Sequence, residues 1–397
     1  MVESSRDLTN KLSVRKIILP VVLGLLVAGA MLYNNLTSVY FEQAVNGNYT
    51  WVDANDDGQV QTGDEEEFVF SETKSGDYNK ITYKEVFSRI NWHWYSWVWL
   101  LVSLIMVAVR DLGYMYRIRF LTDNQLSWRQ SFDVIMLWEF ASALTPSVVG
   151  GSGVAIYILH REGITVGRSS AVVMVTALLD ELFYILMVPL IFIAVGTELL
   201  FPVSLEKEIF GVVLNTQGIF WVGYGFIVFL TLFILLAVIF FPRLFKFVLL
   251  KIFRIKFLQR WRYTVIQIGD DIINTSKELR GKKIGYWLKA FLATLFSWTA
   301  RYWVVNFLLL TVTPVGNHLL VYARQLVMWV IMLISPTPGG SGLAEVAFSG
   351  FLADLIPLGL AGALALIWRL LSYYPYLFVG AFVLPRWLSR TAKNFKN

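Results

Sequence analysis

The chain has 397 residues, is 56% hydrophobic and only 16% charged, and has a mean hydropathy of +0.59. That balance excludes a soluble domain and predicts an all-α polytopic membrane protein, since long apolar runs satisfy their backbone hydrogen bonds in lipid as helices. The net charge of +6 reads as basic loops flanking spans rather than a nucleic-acid surface, and the lack of cysteine excludes disulfides, thiolate metal sites and cysteine nucleophiles.

Residues 1–35 are polar as far as Arg15-Lys16, then apolar from Ile17 to Asn34. They predict a transmembrane anchor, with a signal peptide cut near Val27-Ala28-Gly29-Ala30 as the alternative. Residues 36–92 hold 11 acidic side chains against four basic ones, which suits the extracytoplasmic face. Within them Asp53, Asn55 and Asp57, then Gly58, the Gln59 carbonyl and Asp64, fall at positions 1, 3, 5, 6, 7 and 12 of a calcium loop. The expected cofactor is a structural Ca2+, and the alternative is a solvated acidic loop.

Residues 93–241 form the first transmembrane half. Trp94 to Ala108 is a span with Trp92, Trp94, Tyr95, Trp97 and Trp99 as its outer aromatic belt, and Arg110, Arg117, Arg119 and Arg129 mark its cytoplasmic end. Residues 131–143 and 151–160 are each too short to span. They flank Thr145-Pro146-Ser147-Val148-Val149-Gly150-Gly151-Ser152-Gly153, and so predict a re-entrant hairpin entering from the cytoplasm. Ser170 to Val195 crosses outward and Phe220 to Phe241 crosses back. Residues 242–284 form a cytoplasmic basic segment, with 11 basic and three acidic residues over 242–283. Phe245, Leu249, Ile252, Phe253 and Phe257 recur there as an interfacial helix would require.

Residues 285–397 form the second half. Gly285 to Leu310 crosses outward, and 318–334 with 341–355 flank a second break, Pro336-Thr337-Pro338-Gly339-Gly340-Ser341-Gly342. Leu358 to Leu384 crosses inward, and Arg386, Arg390, Lys393 and Lys396 keep the C-terminus, like the N-terminus, in the cytoplasm. The two hairpins therefore enter from opposite sides. Residues 94–195 and 286–384 read as an inverted-topology repeat, which puts a binding site where the breaks meet.

Helix N-termini at Gly150-Gly151 and Gly339-Gly340 offer free N–H groups to an anion, with hydroxyls from Ser152, Thr337 and Ser341 beside them. The rival reading is that these glycines only allow close helix packing. Ionisable residues inside the predicted spans are Glu139, Asp180, Glu181, Arg301, Arg324, Glu345 and Arg369. Each would cost on the order of ~3 kcal/mol facing lipid, so each is expected to be paired or to serve a cavity. Arg301, Arg324 and Arg369 suit a phosphodiester, because guanidinium matches its geometry. Glu139 and Glu345 suit a cationic head group or a coupling proton. No catalytic residue is expected: His93, His160 and His318 map to membrane edges, away from either serine, and no Walker-type phosphate loop is present.

The second break with Glu345, the run from Thr145-Pro146 through Gly153, Leu159 to Gly163, and Asp180 together resemble the transmembrane-region family of lysylphosphatidylglycerol synthases, which are flippase-like membrane proteins. The resemblance covers residues 94–385. It implies a lipid transporter of the bacterial or archaeal cytoplasmic membrane, flippase or scramblase-like, and not an enzyme. The soluble aminoacyl-transferase domain of bifunctional members has no counterpart after the last span, so synthesis of the aminoacyl lipid is not expected. The expected partner is a membrane phospholipid or a polyprenyl phosphate, with no nucleic acid, in a monomer or homodimer. The alternatives are a transporter of a small soluble anion or ion-coupled solute, and a membrane enzyme or subunit acting on lipid-linked sugars.

Overall fold

The computed structural model describes residues 39–54, 65–72, 75–82, 92–145, 148–203, 206–209, 212–255, 262–332, 343–357 and 360–394, with a few single positions between them. The protein is mostly helical, and four of its helices are long and apolar enough to cross a membrane: Trp94–Leu121, Val166–Val195, Thr216–Ala237 and Ala361–Thr391.

The all-α expectation needs one correction. The acidic segment is β-structure: from Gly76 the chain alternates, with Gly76 and Tyr78 buried and Asp77 exposed between them, the period of a half-buried strand. Strands β1 (Val39–Gly47), β2 (Tyr49–Trp51), β3 (Phe68–Phe70) and β4 (Gly76–Thr82) form an antiparallel sheet in the order β1-β4-β2-β3. Phe41 stacks on Phe68 at 4.0 Å in its small core. A second, two-stranded sheet pairs β5 (Glu206–Ile209) with β6 (Val212–Asn215).

The helices are α1 (Trp94–Leu121), α2 (Trp128–Leu144), α3 (Val148–Arg161), α4 (Val166–Val195), α5 (Thr216–Ile234, continuing as a π-helix to Phe240), α6 (Pro242–Ile252), α7 (Arg262–Arg280), α8 (Ile284–Leu309), α9 (His318–Met332), α10 (Leu343–Leu352), α11 (Ala361–Ser372) and α12 (Tyr374–Asn394). Their ends follow local chemistry. Ser127 caps α2 by accepting from the Gln130 backbone N–H at 3.2 Å, while the Gln130 side chain accepts from Ser127 N–H at 2.8 Å. Gly163, at φ 101°, closes α3, with Ile164 N–H reaching back to Leu159 O at 3.2 Å.

Close approaches fix the packing. Helices α1 and α8 run against each other, and a Cβ at Gly113 would overlap the Ser297 hydroxyl. Ser96 donates to Thr311 O at 2.7 Å along the same seam. Helix α12 crosses α2 where Gly380 meets the Phe140 ring. At the far end of that contact, Asp133 and Glu162 have buried side chains held by Arg390, which bonds Asp133 at 3.0 Å and also Glu162. The Glu162 side chain is buried because Arg390 and the Trp387 indole N–H, at 2.7 Å, reach it from α12.

Two further expectations shift. The first span runs to Leu121, not Ala108, because Arg110 and Arg117 are buried at 3% and 4% exposure and continue the helix inside the protein. The basic segment is two helices, α6 and α7, joined by a Lys246–Asp270 ion pair at 2.5 Å. The expected anchor (residues 17–34) and the second break (Pro336 to Gly342) lie outside the described residues.

Candidate functional site

Helices α2, α3, α9 and α10 have 17, 14, 15 and 10 residues. At 1.5 Å per residue they reach only about 15–26 Å, short of a ~30 Å hydrocarbon core. Longer helices surround them, and between them lies a cavity of about 310 Å³. Its walls come from α1 (Tyr114, Arg117), α2 (Glu139, Ser142), α3 (Ser152), α4 (Asp180, Glu181, Tyr184), α8 (Trp298, Arg301), α9 (Trp329), α11 (Trp368, Arg369) and α12 (Tyr376). That volume matches ligand pockets in general.

Most charges here are paired. Arg110 and Arg117 stand about two turns apart on one face of α1. Arg117 forks onto Asp180, at 2.5 and 3.2 Å, and donates to Thr294 at 2.9 Å. Asp180 also accepts from the Trp298 indole at 2.8 Å, so both its oxygens are engaged. Arg110 donates to Glu139 at 2.5 Å and to the Tyr376 hydroxyl, which in turn bonds Asp111 at 2.9 Å. Arg369 pairs with Glu345 at 3.0 Å and lies over the Tyr373 ring at 3.8 Å.

Two charges are held otherwise. The Arg301 guanidinium lies over the Trp329 ring at 4.2 Å and the Trp298 ring at 5.0 Å, with no carboxylate partner among the described residues. The Glu181 carboxylate lines the same cavity, and its buried Oε2 has no hydrogen-bond partner. Indole faces stabilise a guanidinium without neutralising it.

The structure therefore brings Glu139, Asp180, Arg301, Arg369 and Ser152 together around one cavity, with Glu345 tied to Arg369. Gly150 and Gly151 open α3, where a Cβ at Gly151 would overlap the Ser142 hydroxyl; this glycine serves close packing. Arg324 lies elsewhere. It donates to Leu199 O at 2.8 Å and Phe351 O at 3.0 Å and pairs with Asp354, so it ties the end of α10 to the turn of helix at Thr197–Leu200 and does not line the cavity. Thr337, Gly339, Gly340 and Ser341 lie outside the described residues. So do Asn55, Asp57, Gln59 and Asp64, while Asp53 follows the end of β2.

Sequence reasoning missed Arg110 and Arg117 by taking them for a membrane edge. The signal was present: Tyr114, Ile118 and Leu121 continue the apolar helical period past both arginines.

A family model described as the lysylphosphatidylglycerol synthase TM region matches residues 82–380. The chain belongs to this family. A UPF0104 membrane protein of Archaeoglobus fulgidus is 25% identical over 332 residues, which cover 76% of this chain and 91% of that relative. Within the lysylphosphatidylglycerol synthase TM-region match fall every lining residue of the cavity and both glycine-rich breaks. The four-stranded sheet lies almost wholly ahead of it.

Proposed function

We propose that this membrane protein moves a lipid with an anionic head group between leaflets, as a flippase or scramblase-like transporter and not as an enzyme. The observation that carries the reading is Arg301: a cation presented to a cavity by two indoles, with no carboxylate paired to it among the described residues. A phosphodiester offers the oxygens that guanidinium binds best. The cavity's described lining holds no histidine or lysine to activate Ser152, which weighs against a serine nucleophile.

In this reading α2–α3 and α9–α10 are re-entrant hairpins in an inverted repeat, with both termini in the cytoplasm. The pairing of lengths supports it: 28 and 26 residues for α1 and α8, 17 and 15 for α2 and α9. The packing is also reciprocal. Helix α1 lies on α8, α2 packs on α12 and α9 packs on α4, so each broken element meets the closing element of the other half. In the outer hairpin, Val52 N–H bonds Glu67 O at 2.8 Å and draws together the ends of the segment that Ca2+ would staple. Isothermal calcium titration, with Asp53→Ala as control, tests that part.

The main test uses proteoliposomes carrying fluorescent phosphatidylglycerol, read by quenching from outside. Wild-type vesicles should expose the inner-leaflet probe faster than Arg301→Ala vesicles. Equal rates would count against the reading, and release of entrapped phosphate without lipid movement would favour a soluble-anion transporter.

A further inference from the structure

We propose that Glu181 is the proton-carrying group of this cavity, so that each anionic head group is accompanied by one proton. The inference rests on the transport reading and adds its energy source.

The charges around the cavity do not balance when all are ionised. Arg110, Arg117, Arg301 and Arg369 face five carboxylates: Asp111, Glu139, Asp180, Glu181 and Glu345. Residues 333–342 add no charge to this count, since none of them has an ionisable side chain. Four of the five acids are held. Glu139 and Asp111 share Arg110, Asp180 has Arg117 and Trp298, and Glu345 has Arg369. Glu181 alone among them has a buried oxygen with no partner and no cation against it among the described residues.

A buried carboxylate without a partner carries a desolvation penalty that a single proton removes. The groups facing it from the packed elements reinforce this. Its neighbour Asp180 on α4 repels a second negative charge, Arg117 on α1 is already taken by Asp180, and Tyr184 spends its hydroxyl on Tyr302 at 2.7 Å. Arg301 on α8 lies against the two indoles and makes no ion pair with Glu181 among the described residues. With Glu181 protonated the cluster is neutral and Arg301 is free to take an anion. With Glu181 ionised the cluster is negative and rejects one.

The step is proton transfer alone: the carboxylate takes a proton from water on one side and returns it on the other. Anion and proton then cross together with no net charge. A one-unit pH difference corresponds to about tenfold per proton.

The experiment has two arms on the full-length chain. In proteoliposomes, an imposed one-unit pH gradient should bias the steady-state leaflet distribution of fluorescent phosphatidylglycerol by up to about tenfold in wild type. Glu181→Gln, which mimics the protonated acid in shape, should lose the bias, whatever its gradient-free exchange rate. In detergent, infrared spectroscopy should show a protonated carboxylic-acid band that titrates away with rising pH in wild type and is absent in Glu181→Gln. A bias that survives in Glu181→Gln, or a wild-type exchange indifferent to the gradient, overturns the proposal. So does the lack of a titrating band, whatever the probe does. A titrating band without any probe movement removes the transport reading and the coupling with it.

Discussion

On α1, both buried arginines have carboxylate partners: Arg110 meets Glu139 and Asp111, and Arg117 grips both oxygens of Asp180. On α8, which packs along α1, Arg301 has two indole faces instead. The difference separates charges neutralised by a partner from one that reaches the cavity with its charge intact. A paired buried ion cannot lose its partner without leaving a naked charge, whereas an aromatic-supported guanidinium keeps its full charge to offer.

The contrast breaks most visibly at the α1 pairs. Asp180→Ala strands Arg117 and should cost about 3–5 kcal/mol, read as an early loss of monodispersity on heating in detergent. Arg117→Leu with Asp180→Leu removes both charges and should recover most of that loss. A double variant as poor as the single would mean that Asp180 acts on more than Arg117. Smaller is Gly380→Ala, whose Cβ would run into the Phe140 ring; about 1–3 kcal/mol is expected, partly relieved by Phe140→Leu. Arg301→Ala should lower stability by no more than about 1 kcal/mol while abolishing lipid movement, because only cation–π support is lost. A collapse of stability there would move Arg301 to the structural set.

The smallest effect lies outside the spans. Asp123, between α1 and α2, faces Arg168 at 2.5 Å and Lys282 at 3.1 Å. Partial burial pushes its carboxyl up, but the two cations outweigh that and hold it below the usual range. Its stabilisation is therefore present above the unfolded value of about 4 and fades as pH falls through the lower folded one. Asp123→Asn should cost only about 0.5 kcal/mol at neutral pH, since the side chain is part-exposed, and should flatten the acid limb of the melting curve.

Much of the membrane region was legible in sequence. Helices α2 and α3, both too short to span, do part after Leu144, although Gly150 to Gly153 lie inside α3, and five of the cavity's ionisable residues were named from their apolar surroundings. Arg324 shows the limit. From sequence it is equivalent to Arg301, since both sit in apolar helices; only the helix-end carbonyls of Leu199 and Phe351 tell them apart.

Composition and periodicity alone settled that this chain is a helical membrane protein, because lipid forces apolar backbone into helices. Which charges are spent on one another and which remain was decided by tertiary structure. Ion pairs such as Arg117–Asp180 join residues 63 positions apart, and no local pattern in a sequence encodes who meets whom across a fold.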